Sequence, residues 1–250
     1  ELYGKEAIRF AGKTIPISCL SNFLFLKYLP GLRKRLPYRE LNCSEWERIL
    51  AIIKRHNARL TVGITALWVD KDGSGVPFYE KFPGESIILK QAASEGLIEI
   101  ANHGLTHCVV GKHLPRLFSS NRVFHREFWG WLPVELHREH MERSQEIFFQ
   151  YFKERICTFI PPGNVWTTDT EKFASRYGIK FFSSLKDEAT GFSKDYGLIY
   201  IGGKDIIAFH DREIVLNGIQ WFEDLIRDNS DKELVTIKGV GLAKQSERAI

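Results

Sequence analysis

The 250 residues carry 44% hydrophobic, 13% aromatic and 26% charged side chains, which excludes a disordered chain and allows one large core or two small ones. Lys and Arg (35) exceed Asp and Glu (31) by only four, and part of that excess sits in Leu32-Arg33-Lys34-Arg35, which reads as a solvated loop and not as a nucleic-acid surface. No stretch approaches the apolar length that crosses a bilayer, so no membrane span is expected.

Along the chain, short β-rich runs alternate with helical patterns. Thr14–Leu20 (TIPISCL) reads as the first strand. Ser44 is placed to cap a helix running to about Arg55, with Glu45 and Glu47 suited to its positive end. Arg59–Val69 (RLTVGITALWV) is largely uncharged and β-branched, as expected of a strand covered on both faces, and Asp70–Gly75 is a turn cluster. Glu85–Glu95 reads as a helix ended by Gly96, and Leu97–Asn102 as the third strand. Residues 104–136 are irregular and aromatic; Glu135–Lys153 is a long helical pattern. Cys157–Ile160 reads as a strand, Thr168–Tyr177 as a helix and Ile179–Ser184 as a strand. Leu198–Ile201 and Ile206–Phe209 read as two further strands, and Gly218–Arg227 as the last helix.

This βα alternation requires parallel strands joined by crossovers. With about seven strands and no internal repeat, the expectation is one α/β domain over residues 1–250, a distorted single (β/α) barrel, closed or incomplete, with its core at about 14–228. A doubly wound open sheet is the alternative. None of the four cysteines (Cys19, Cys43, Cys108, Cys157) forms a C-x-x-C pair, which argues against a disulfide framework and for a reducing compartment, the cytoplasm. The chain starts at Glu1, not Met, as expected of a processed chain or of a piece of a longer one.

Barrel chemistry collects at the carboxyl ends of the strands. The predicted strands deliver there Ser21 and Asn22, Trp68 and Asp70, Asn102, His103 and His107, Asn164 and Trp166, Ser183 and Ser184, and His210 and Asp211. His103-Gly-Leu-Thr-His107 is the sharpest local feature: two imidazoles four residues apart reach one cation if the backbone between them turns, and neutral imidazole suits zinc and other first-row ions. His210-Asp211 reads either as a strand-ending histidine held locally or as a general acid with a reference pKa near working pH. His56, His113, His125, His137 and His140 read as surface or packing residues.

In this order the pieces resemble the polysaccharide deacetylases of the NodB-homology type, carbohydrate esterase family 4. IEIANHGLTH resembles that family's motif carrying two zinc-binding histidines, FIPPGN its proline-rich groove segment and IIAFHD its closing motif, over roughly residues 14–228. The resemblance implies a distorted (β/α) barrel and a divalent metal, zinc first, with His103 and His107 as ligands and His210 as the acid that protonates the leaving group. It also implies hydrolysis of an N- or O-acetyl group on a sugar. The first motif departs from the family: two aspartates are usual there, but no Asp precedes Asp70, so Ser21 stands where the catalytic base would be and Asn22 where the anionic metal ligand would be. The arginine usual in the proline-rich segment is also missing, with Ile160 near its place. Asp70 and Asp211 are the carboxylates on the predicted face that could compensate.

Two functions follow. One is a metal-dependent deacetylase acting on an acetylated saccharide, in cell-surface polysaccharide biosynthesis, with His210, Asp211 and Ser21 at the reacting centre and Trp68, Asn164 and Trp166 against the sugar. The other is a catalytically inactive barrel that binds saccharide by stacking on Trp68, Trp129, Trp131 and Trp166. Oligomeric state is not legible in the sequence.

Overall fold

The structure, a computed structural model, describes residues 7–10, 13–16, 39–69, 74–108, 127–184, 191–192 and 195–248. Its frame is a six-stranded sheet. In chain order the strands are β1 (Ala7–Phe10), β2 (Lys13–Pro16), β3 (Leu60–Ile64), β4 (Leu67–Val69), β5 (Gly75–Pro77), β6 (Ile98–Asn102), β7 (Thr158–Phe159), β8 (Phe181–Ser184), β9 (Gly191–Phe192) and β10 (Ile199–Gly202). The helices are α1 (Cys43–Arg55), α2 (Phe78–Lys81), α3 (Pro83–Ser94), α4 (Val134–Phe152), α5 (Thr168–Arg176), α6 (Asp211–Asn217), α7 (Ile219–Arg227) and α8 (Ile237–Arg248).

The sheet order is β3-β6-β7-β8-β10-β9, the first five strands parallel and β9 antiparallel on the edge. The five parallel strands follow one another in space as they do in sequence. That order winds one way, as in a barrel, whereas a doubly wound sheet reverses at a switch point. The expected α/β fold with a parallel sheet is therefore present, with five parallel strands described where about seven were expected.

Three predicted strands come out differently. Lys13–Pro16 pairs antiparallel with Ala7–Phe10 as a separate two-stranded sheet, so the described part of the first predicted strand is a hairpin arm and lies outside the parallel sheet. Arg59–Val69 breaks in two at residues 65–66. Ala66 and Leu67 turn their amides to the Gly104 and Leu105 carbonyls, and β4 then pairs antiparallel with β5. Ile206–Phe209 has no ladder at all, because the outer edge of β10 is already taken by β9. Ile206 packs with Phe181, Ile199 and Ile201, and Phe209 in the cluster that holds Leu60, Val62 and Ile64. The segment thus passes from the β10 cluster to the β3 cluster, its start tied by the Ile206 N–H donating to Gly203 O at 3.3 Å.

Helix starts also differ in detail. Asn42, not Ser44, caps α1: its Oδ1 accepts the Glu45 N–H at 3.1 Å while Glu45 Oε2 accepts the Asn42 N–H at 3.0 Å, and Ser44 Oγ donates to Asn42 Oδ1. Asn wins because its oxygen sits one bond further out and closes the reciprocal pair with Glu45. Helix α8, beyond the expected core, seats its first turn on two sheet side chains. The Ile237 N–H donates to Thr61 Oγ1 and the Lys238 N–H to Glu99 Oε2, both at 2.9 Å. Gly241 lets α8 approach, since a Cβ there would overlap the Phe181 ring.

The core divides into an aliphatic and aromatic cluster around Ile49, Ile53, Phe148 and Phe222, a second built on Phe128, Phe159, Phe182 and Leu198, and a third of Phe181, Ile199 and Ile201, all almost fully buried. Among the described residues no helix is long and apolar enough to cross a membrane. Cys43, Cys108 and Cys157 take part in no disulfide.

Candidate active site

The end of β6 carries a network of buried polar groups among the described residues. His103 directly follows the strand and continues its ladder, donating its N–H to Ile64 O at 2.9 Å, while the Ile160 N–H donates to Asn102 O on the other side. Its imidazole is therefore held between the carboxyl ends of β3 and β7. His103 Nδ1 lies 2.7 Å from the Ile160 carbonyl. A carbonyl only accepts, so Nδ1 carries a proton, and in the neutral ring the lone pair is then on Nε2.

The next four residues turn sharply enough to bring the second imidazole back. Gly104 has φ +85° and His107 φ +58°, both left-handed. The ring centroids of His103 and His107 come to 4.9 Å apart with the planes inclined by 62°. Both rings are half-buried. Two neutral imidazoles at that separation, one with its tautomer fixed by a backbone carbonyl, form the donor set a first-row divalent ion accepts. The chemistry of the pair therefore fits the implied metal, with His103 and His107 as the residues that would hold it. Among the described residues no group of three His, Cys, Asp or Glu side chains is gathered for a metal, so the structure does not join His210 or Asp211 to this pair as a ligand cluster.

Around the loop stands a polar scaffold that the sequence reading did not assign. Glu127 is 0% exposed. Its Oε1 accepts the N–H groups of Leu105 at 2.7 Å and Thr106 at 3.3 Å, and its Oε2 accepts that of His107 at 3.0 Å. His140 Nδ1, from α4, donates to Glu127 Oε1 at 2.6 Å. Asn102, also 0% exposed, accepts the Gly104 N–H at 2.8 Å and donates to Ser144 Oγ at 2.8 Å. Ser144 in turn donates to Met141 O. His137, one turn before His140, is buried between Thr170 Oγ1 (3.1 Å) and Trp129 O (3.2 Å). Burial pushes its pKa below the ordinary value of 6.5, against the weaker pull of the Trp129 carbonyl and then of Asp169. The signal in the sequence is periodicity: His137, His140, Met141, Ser144 and Phe148 share the buried face of α4, so polar residues occupy core positions there. The reading of His137 and His140 as packing residues is right for burial and incomplete for His140, which partners the carboxylate behind the histidine loop.

The other predicted site residues fall in several places. Ser21, Asn22 and Asp70 lie outside the described residues. Asn164 ends a short turn after β7 with φ +55°, and Ser184 Oγ lies 3.5 Å from its Oδ1, so these two share the carboxyl-end rim of β7 and β8. Trp166 donates its indole N–H to Glu171 at 2.9 Å and packs on Phe182, which holds one edge of the ring inside. Trp68 is in the β4–β5 hairpin, edge-on to Phe82 with the Lys81 ammonium 5.8 Å from its centroid, and not at the end of a sheet strand as predicted. His210 and Asp211 are not at a strand end either, because residues 206–209 form no strand. His210 precedes α6 with its side chain 61% exposed and Nδ1 3.5 Å from Glu213 Oε2. Burial pushes the Glu213 carboxyl up, but hydrogen bonds from His210 and Arg212 outweigh it and hold the pKa at about 2.

A family model described as polysaccharide deacetylase matches residues 42–182, more than half of the chain. No curated protein matches it. Among solved structures, BA3943, a CE4 family pseudoenzyme of Bacillus anthracis, is 11% identical with a TM-score of 0.48, over 80% of this chain and 61% of the other, so this chain spans about three fifths of that protein's length. The family 4 acetyl xylan esterase of Clostridium thermocellum, determined with a cobalt ion, is 11% identical with a TM-score of 0.47, over 83% and 88%. The BpsB deacetylase domain of Bordetella bronchiseptica is 17% identical with a TM-score of 0.46, over 80% and 88%.

Proposed function

The chain belongs to the polysaccharide deacetylase family, and from that premise we propose that it hydrolyses the acetyl group of an N- or O-acetylated saccharide in cell-surface polysaccharide synthesis. The reading places a divalent ion, zinc first, on His103 and His107. The observation that carries it is the geometry of the pair: with His103 Nδ1 directed to Ile160 O, Nε2 is the nitrogen of that ring left to act as a ligand, and His107 is folded back to meet the same ring. A divalent ion held there supplies Lewis acidity toward the acetyl carbonyl and a source of hydroxide near neutral pH.

The chain's own residues do the rest. Glu127 and Asn102 fix the loop so that the two rings meet without reorganisation at the moment of reaction. Asn164 and Trp166, on the neighbouring rim, are assigned to the sugar, the indole offering its apolar face and Asn164 its amide, with Trp68 as an outer contact. His210, whose side chain is exposed beside Glu213, is assigned to protonation of the leaving amine or alcohol, with Asp211 next to it. With Ser21 and Asn22 at the positions of base and anionic ligand, the proton acceptor falls to Asp211, Asp70 or the substrate itself.

The test is metal analysis of protein purified without chelator, together with acetate release from N-acetylated oligosaccharides and acetylated xylan. Stoichiometric zinc that disappears in His103→Ala, and acetate release that falls with it, is expected. A wild type with neither metal nor acetate release would end this reading. A second reading, an inactive barrel that binds saccharide, is favoured by one feature, the lack of any aspartate before Asp70. A silent wild type that gains acetate release in the Ser21→Asp, Asn22→Asp double variant would establish it.

A further inference from the structure

We propose that Glu127, steered by His140, is a positioning residue that sets the left-handed turn at His107 and so determines whether the two imidazoles can share one ion. The proposal rests on the metal reading above for its consequence but not for its geometry. Glu127 spends both oxygens on a loop some twenty residues away in sequence. Three consecutive amides, of Leu105, Thr106 and His107, converge on one carboxylate. Such an arrangement forms only when successive N–H groups point to the same side, which an extended strand forbids and a left-handed turn produces. The φ of +58° at His107 is unfavourable for a histidine by roughly 1–3 kcal/mol, and the bond to Glu127 Oε2 is the contact that compensates it at that residue.

Two neighbours show that the place is shaped around the carboxylate. Gly104 leaves the space Glu127 fills, since a Cβ there would overlap Oε2. His140 Nδ1, on α4 and 2.6 Å from Oε1, fixes which way the carboxylate faces. Glu127 thus stands behind His107 as the Ile160 carbonyl stands behind His103: one selects a tautomer, the other a backbone conformation.

Glu127→Gln is the decisive variant. An amide can keep one oxygen for the Leu105, Thr106 and His140 donors, but its NH2 then faces the His107 N–H, donor to donor. Zinc binding by equilibrium dialysis should weaken about 10–100-fold, the usual loss when support behind a ligand is removed, and the visible spectrum of the cobalt(II)-loaded protein should change in shape. In metal-free protein, hydrogen exchange at Leu105–His107 should accelerate while the β8 amides keep their wild-type rates, and the cross-relaxation between the His103 and His107 ring protons should fade. Wild-type zinc affinity, or unchanged exchange at those three amides, would overturn the proposal. A wild type that binds no zinc removes the metal reading alone; the exchange and ring measurements still decide Glu127. Should Glu127→Gln not fold, His140 decides. His140→Asn can place an amide nitrogen near Nδ1 and should retain zinc affinity, whereas His140→Leu should lose it; equal affinities in the two variants would contradict the proposal.

Discussion

The His103–His107 loop and the segment leading to His210 are both polar stretches near the sheet, yet they are built on opposite principles. The first is over-determined: every backbone N–H from His103 to His107 is bonded, to Ile64 O, Asn102 or Glu127, and the Gly104 and Leu105 carbonyls are taken by Ala66 and Leu67. The second hangs on side chains, Ile206 in one cluster and Phe209 in another, and leaves the His210 ring in solvent beside Glu213. A left-handed turn has to be held from several sides because it is locally unfavourable, whereas an exposed group that delivers protons needs mainly reach. Rigidity is concentrated where two groups must agree in position.

That contrast can be broken in graded steps. Gly104→Ala attacks the loop most directly, since the new methyl meets Glu127 at a φ of +85°. We expect a loss of roughly 2–6 kcal/mol in urea unfolding, the sum of a non-glycine left-handed residue and an overpacked core. A fully wild-type midpoint would show that the loop is softer than its bonds imply. Ser144→Ala leaves the buried Asn102 amide without its acceptor and should cost about 1–3 kcal/mol by the same measurement.

His137 gives the pH signature of α4. Its folded pKa lies below 6.5, so the unfolded chain binds more protons and stability falls as pH drops through 6.5 toward the folded value, being fully present above 6.5. Chemical denaturation between pH 7 and pH 5 should show this decline, and His137→Gln should flatten it. The smallest effect on stability belongs to His210→Ala, within about 0.5 kcal/mol at neutral pH for so exposed a side chain. Glu213, depressed to about 2 from 4.5, contributes stability above 4.5 that is lost as pH falls toward 2, and His210→Ala should reduce that acid-limb loss. If His210 protonates the leaving group, acetate release in the same variant drops about 10²–10⁴-fold with stability nearly unmoved; equal activity would remove it from the reaction.

Much of the scaffold was legible because it is local. The helices at 83–94, 134–152 and 168–176 and the strands at 98–102 and 181–184 follow from hydrophobic period and from glycine or proline at their ends. Ile206–Phe209 misled because its β-branched run satisfies strand propensity, while pairing depends on an edge that β9 had already filled. Helix α8 went unseen because its glycines lower helical propensity, and Gly241 is needed for contact with Phe181, a residue sixty positions earlier.

From its own letters the chain determined the βα alternation, the pairing of His103 with His107 and the strand that delivers them, since each depends on residues a few positions apart. Only the tertiary structure decided that Glu127 and His140 stand behind that pair, that Trp68 belongs to a hairpin and that His210 leads a helix. Those outcomes turn on which surfaces are left unpaired once the sheet has assembled, and hydrogen bonds between segments 13 to 22 residues apart leave no periodic trace in the sequence.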